Sequence, residues 1–272
     1  MSNFLTTTYF EDLRKIIYQE TGIVFEDKKR YFLENKIAEH MRELSISSLK
    51  DYLLQLRLNK KVLRDLITKV TVNETYFYRD FYQLEAFAEL LQKVSDSRKL
   101  RIISIPCSTG EEPYTLAIVC REILNSVENI SIYGVDIDYK ALEKAREGIY
   151  SDRSVSKLPH EYKRRYFKNK GKDKWMISDE IKEMVRFFEG SILDLKFLKS
   201  LGIFFFIFCK NLLIYFDLNS RRRAVNNLYE ILEDTGYLFL GPSESLSRIS
   251  SLFRPVKVKE AIVYQKELEE EE

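Results

Sequence analysis

Two periodicities divide the chain. Through about residue 72, apolar side chains recur every three or four positions. They fall into the sets Phe10, Leu13, Ile16, Ile17; then Phe32, Leu33, Ile37, Met41; then Leu49, Tyr52, Leu53, Leu56; then Val62, Leu63, Leu66, Ile67. That is the spacing of one helix face, and it predicts a small all-helical domain over residues 1–72. Gly22 parts the first helix from the second, and the polar stretch at 45–48 introduces the third. Beyond residue 73, short apolar runs alternate with helical patterns, as in a parallel sheet with helices on its faces. Ile102, Ile103 and Ile105 predict a buried strand, residues 130–135 a second, 185–189 a third and 204–208 a fully buried fourth. Helices are expected around 141–146, ending at Gly148, and from Asp217 through Leu232. Residues 236–241 and 261–265 predict closing strands joined by a loop and a short helix. Residues 174–188 read as small strands, or a strand and a helix, in an inserted subdomain over about 160–185.

The stretch at 101–117, RIISIPCSTGEEPYTLA, organises the second half. A strand, a turn of small residues and a helix start follow one another, the nucleotide-cradling order of a doubly wound sheet. Pro113 is placed where a proline at the first helical position would be. The turn has one glycine and two carboxylates, so it lacks the glycine pattern that takes a pyrophosphate. Glu111 and Glu112 would repel phosphate and suit a ligand carrying hydroxyls and an ammonium group, which points to S-adenosylmethionine. A second reading, compatible with the first, makes Ser108 and Glu111 a capping box. Asp136 closes the next strand at about the spacing of an acidic residue that accepts hydrogen bonds from ribose hydroxyls.

The 272 residues suffice for one large α/β domain and a small accessory one. No apolar run reaches the ~18 residues of a membrane span, and the N-terminus lacks the pattern of a signal peptide. Cys107, Cys120 and Cys209 fit neither a disulfide framework nor a zinc site, so a cytoplasmic protein without a metal is expected. Formal net charge is +2, and without the five glutamates of the acidic end at 267–272, read as a disordered tail, it is +7. Basic residues concentrate in two places. The second predicted helix carries Lys28, Lys29, Arg30, Lys36 and Arg42, and residues 153–174 hold nine Lys/Arg against Glu161 and Asp173. Each reads as a solvated face or as a docking face for an acidic partner.

Between the two halves lies Asn73-Glu74-Thr75-Tyr76-Phe77-Tyr78-Arg79-Asp80. It reads as an ordinary helix N-cap, or as a linker folded over the carboxyl edge of the sheet. Together with PCSTGEEPYTLA, GVDID followed by KAREGIY, and FCKNLLIYFD followed by GYLFLGPSESL, it resembles the CheR-type chemotaxis receptor methyltransferases. The resemblance covers essentially the whole chain.

The resemblance implies a Rossmann-like, mostly parallel seven-stranded α/β sheet over 73–266, a helical receptor-recognition domain and a small β insert. It also implies S-adenosyl-L-methionine as cofactor, S-adenosyl-L-homocysteine as product and glutamates on cytoplasmic receptor helices as acceptors. The protein would be a monomer that reaches membrane-bound receptors from the cytoplasm, without inserting in the membrane or binding nucleic acid. By the same resemblance Asn73, Thr75 and Arg79 line the cofactor and transfer site, Glu112 meets the methionine end, and Asp136 holds the ribose. Ser191 and Ile192 lie near the adenine, Lys210 and Asn211 near cofactor and substrate, and Arg79 and Tyr215 are the catalytic pair. Three positions depart from the family. Lys210 replaces an Arg and so loses its planar fork, Ser191 stands where Asn is common, and Phe205 where Asp is common. A methyltransferase for another carboxylate, and a non-catalytic binder of the cofactor, are the alternatives.

Overall fold

The computed structural model describes residues 5–94 and 98–267. The acidic end beyond Glu267 lies outside the described residues. The first domain is helical: α1 (Thr7–Thr21), a 3-10 turn at Asp27–Lys29, α2 (Arg30–Glu43), α3 (Leu49–Leu58) and α4 (Lys60–Val70). Local chemistry sets the ends. Thr6 and Ser48 cap α1 and α3 through their hydroxyls, Asn59 caps α4, and Gly22 ends α1 at φ 72°, which glycine reaches without strain. The predicted apolar faces meet in one core that includes Phe10, Leu13, Ile17, Leu33, Ile37, Tyr52 and Leu66. Phe32 departs from that pattern. It is 37% exposed and stacks beside Phe25.

The second domain runs α5 (Phe81–Gln92), β1 (Leu100–Ser104), α6 (Glu111–Ile123), β2 (Ile130–Asp136), α7 (Tyr139–Glu147), β3 (Ile149–Ser151), α8 (Asp152–Val155) and α9 (His160–Tyr166). It continues with β4 (Phe167–Asn169), β5 (Lys174–Ile177), α10 (Asp179–Lys182), β6 (Val185–Glu189), α11 (Leu195–Leu201) and β7 (Phe204–Cys209). A 3-10 turn (Leu213–Tyr215), α12 (Leu218–Ile231), β8 (Leu232–Leu240), β9 (Phe253–Val258) and β10 (Ala261–Lys266) complete it. The main sheet has seven strands in the order β6-β2-β1-β7-β8-β10-β9, with β3, β5 and β4 forming a small antiparallel sheet. β6, β2, β1, β7 and β8 are parallel, and β10 pairs antiparallel with both β8 and β9. β7 is buried at every position, which is why it reads as an unbroken apolar run. Phe205, a departure from the family pattern, is buried in the core with the Arg98 guanidinium over its ring. No helix among the described residues is long and apolar enough to cross a membrane.

Four local expectations are corrected. α6 starts at Glu111, so Pro113 is its third residue. That position tolerates proline because the first-turn N–H groups have no intrahelical acceptor. No capping box forms, since the cap position is Gly110 at φ 92° and Glu111 turns elsewhere. Asn73 caps no helix, because α5 begins only after Asp80. Where a short helix was expected after residue 245, the chain instead makes β9.

Candidate active site

From β1 the chain steps outward to β2 and β6 on one side, and β7 and β8 continue the sheet on the other. The loops that leave β1 and β7 therefore diverge, opening a crevice at the carboxyl ends of the strands. Two adjoining cavities occupy it, of about 340 Å³ and 70 Å³.

The larger cavity is walled by Ile105, Pro106, Val135, Ile137, Ile192 and Leu212, with Asn73, Ser108, Asp136, Ser191 and Asn211 among its polar groups. Asp136 ends β2 with its side chain at this edge, 4% exposed. One carboxylate oxygen accepts from the Ser108 N–H at 2.7 Å and the other from the Asp138 N–H at 2.8 Å. Burial pushes its pKa up to about 6, the Asp138 carboxylate adds to that, and the backbone N–H groups oppose it. Asp138 caps α7 with one oxygen and receives the Asn73 amide (2.6 Å) and the Thr71 hydroxyl (3.2 Å) on the other. The Ser108 hydroxyl donates to the Asn73 carbonyl oxygen at 3.1 Å. Asn73 thus pins the linker across the carboxyl edge of the sheet, the second of the two readings given above for this stretch. Ser191 accepts the Leu193 N–H, and the Ile192 carbonyl accepts from Asn227.

The smaller cavity is lined by Thr75, Tyr76, Arg79, Glu112, Lys210 and Asn211, among others. Glu112 accepts from the Ser104 hydroxyl at 2.9 Å and pairs with the Lys210 ammonium at 2.7 Å. Asp80 lies 3.5 Å from the same ammonium, whose side chain is 5% exposed. Lys210 thus sits between two carboxylates as a point charge, where a guanidinium would present a fork. Arg79 donates to the Glu74 carbonyl at 2.8 Å and stands over the Tyr76 ring. Glu111 faces the other way. It is buried, its pKa is raised by that burial, and it takes the hydroxyls of Thr109 and Ser154, which ties the turn to the segment beside the small sheet.

The predicted residues therefore fall into two groups joined at Asn211, which lines both cavities. Asn73, Asp136, Ser191, Ile192 and Tyr215 line the larger, and Thr75, Arg79, Glu112 and Lys210 the smaller. Arg79 and Tyr215, expected as a pair, line different cavities. Tyr215 instead carries the Lys29 ammonium 5.3 Å from its ring centre. The helical domain also supplies Phe25, Lys29, Phe32 and Val70 to the larger cavity, a contribution not foreseen from the sequence. Glu244 is a further site residue whose role no sequence motif marks. Three of the four N–H groups that donate to its carboxylate lie more than thirty residues upstream, beyond any local spacing signal.

These residues fit S-adenosylmethionine. The larger cavity has the size of a small-ligand site, is mostly apolar, and has a buried carboxylate for paired hydroxyls. The smaller adds a carboxylate and two cations for an amino-acid end.

Two family models match the chain: "CheR methyltransferase, all-alpha domain" over residues 8–71 and "CheR methyltransferase, SAM binding domain" over residues 73–262. Chemotaxis protein methyltransferase 2 of Vibrio cholerae is 40% identical over 96% of this chain and 94% of its own. The chemotaxis protein methyltransferase of Borreliella burgdorferi is 32% identical over 89% of each. A solved TehB-like SAM-dependent methyltransferase from Corynebacterium glutamicum is a distant likeness, with TM-score 0.41 and 13% identity over 78% of this chain and 98% of that one. With both domains matched in order and relatives similar along nearly their whole length, the chain belongs to the CheR methyltransferases, and its α/β domain is their S-adenosylmethionine-binding domain.

Proposed function

We propose that the protein methylates glutamate side chains on the cytoplasmic helices of chemotaxis receptors, acting from the cytoplasm as a monomer. The observation that carries this reading is the small cavity with Arg79 and Lys210 on its wall, adjoining a nucleoside-sized one. Relatives named as chemotaxis protein methyltransferases support it.

When bound, S-adenosylmethionine supplies a methyl group on a sulfonium, open to in-line displacement by a carboxylate oxygen. A glutamate acceptor, with a pKa near 4.3, is already ionised at neutral pH, so the site needs no general base. Its task is to orient the acceptor oxygen and strip it of water. In this reading Asp136 accepts from the ribose hydroxyls, with Ser191 and Ile192 beside the base and Asn73 and Thr75 fixing the linker. Glu112 takes the ammonium of the methionine end, and Lys210 with Asn211 holds its carboxylate. Arg79 holds the incoming carboxylate, and Tyr215 positions it from the neighbouring cavity. The five basic residues 28–30, 36 and 42 draw in the acidic receptor helix.

Incubation with methyl-labelled cofactor and receptor membranes should give label that mild base releases as methanol, and none on receptors whose acceptor glutamates are glutamines. Base-stable label would assign a different acceptor. Cofactor binding without any transfer would leave the protein as a cofactor-binding module.

A further inference from the structure

We infer that Glu244 is a positioning residue for this reaction. Its carboxylate is the anion that shapes the loop carrying Lys210, Asn211 and Tyr215 into the two cavities. One oxygen accepts the Leu212 N–H at 2.9 Å and the Leu213 N–H at 2.7 Å. The other accepts the Asn211 N–H and the Gly241 N–H, both at 2.8 Å. Three of these donors are consecutive, in a loop that turns left-handed at Asn211 (φ 58°) and right-handed at Leu212. Such a reversal aims successive N–H groups at one point and makes an anion-binding nest. Here the anion comes from the chain itself.

Glu244 is 9% exposed, and the four hydrogen bonds to its carboxylate all come from backbone N–H groups, which meet its charge. Its own segment is held by a turn, with the Glu244 N–H donating to the Gly241 carbonyl. Gly241 is required by the same arrangement. A Cβ there would lie 2.6 Å from the Glu244 oxygen and 2.9 Å from the Asn211 nitrogen. The nest thus joins the carboxyl ends of neighbouring strands β7 and β8. Everything the loop presents to ligand depends on that junction: Lys210 at 2.7 Å from Glu112, Asn211 between the cavities, and Tyr215 in the wall of the larger one. The inference rests on the site reading above and adds to it the group that holds the site in register.

Glu244→Gln keeps the shape but turns one oxygen into an NH₂ that faces two N–H donors, so the loop must shift. A displacement of about 1 Å at a reacting site costs up to ~100-fold. Glu244→Gln is therefore expected to lower kcat/KM for receptor methylation roughly 10- to 100-fold and to weaken S-adenosylhomocysteine binding, measured well below the melting temperature. Val263→Ala, buried in β10 outside both cavities, lowers stability without touching the loop and should leave both constants near wild type. If the Gln variant does not purify folded, Gly241→Ala displaces the same carboxylate and should give the same losses. Glu244→Gln, or in its place Gly241→Ala, with wild-type constants would overturn the inference. So would equal losses in Val263→Ala, since the effect would then track stability alone. Failure of the wild type to bind S-adenosylhomocysteine would instead sink the site reading.

Discussion

At the scale of single residues, the site turns on carboxylates whose surroundings differ. Burial raises the Asp136 pKa from 3.8 to about 6, so the folded protein holds that proton more tightly than the unfolded chain does. Its contribution to stability is therefore fully present below about pH 4 and is lost as pH rises through about 6. Ligand affinity runs the opposite way, because two hydroxyl donors need the ionised acceptor. Titration with S-adenosylhomocysteine should show affinity falling about tenfold per pH unit below 6. Asp136→Asn should bind weakly with a flat profile, and a sloping profile in that variant would assign the pH dependence to another group. Arg79 offers a separate check. If it holds the acceptor carboxylate, Arg79→Ala should lower kcat far more than it weakens S-adenosylhomocysteine binding. Parallel losses would place Arg79 with the cofactor.

At the scale of elements, what was legible followed from local pattern. The helical faces, the buried run of β7 and Asp136 at the end of β2 all declare themselves within a few residues. β9 does not. It is an edge strand holding Pro255, Arg254 and Lys257, residues that an edge accepts and a central strand would exclude. Glu111 is hidden for a related reason, since its partner Ser154 lies 43 residues downstream and only the fold brings it close. The basic α2 segment is the clearest case. Helical spacing groups Lys29 with Lys36 on one docking face, yet Lys29 lines the larger cavity while Lys36 sits outside it, beside Glu39. The two charge reversals should therefore separate. Lys36→Glu is expected to slow methylation in a salt-sensitive way with cofactor affinity unchanged. Lys29→Glu should weaken the cofactor as well, which calorimetry on each single variant would resolve. Equal cofactor affinities in both variants would return Lys29 to a purely docking role.

At the scale of the molecule, the domains are joined where the ligand would lie. The Tyr18 hydroxyl donates to Asp217, the Val24 N–H donates to the Tyr215 carbonyl, and Ile23 bridges Phe216. A ligand filling the shared cavity should stabilise the whole chain, by about 2.7 kcal/mol at a hundredfold excess over Kd. Calorimetry should show both domains melting later and together. A shift confined to one of two transitions would mean that the helical wall takes no part in binding. The same shared wall has a temporal consequence. Phe25, Lys29 and Phe32 line the same cavity as Ser191, Ile192 and Tyr215, so a nucleoside bound there would touch both domains. Release of a spent molecule would then break contacts with both domains at once. The interval between successive methylations would therefore lengthen with each contact the helical wall makes to the product.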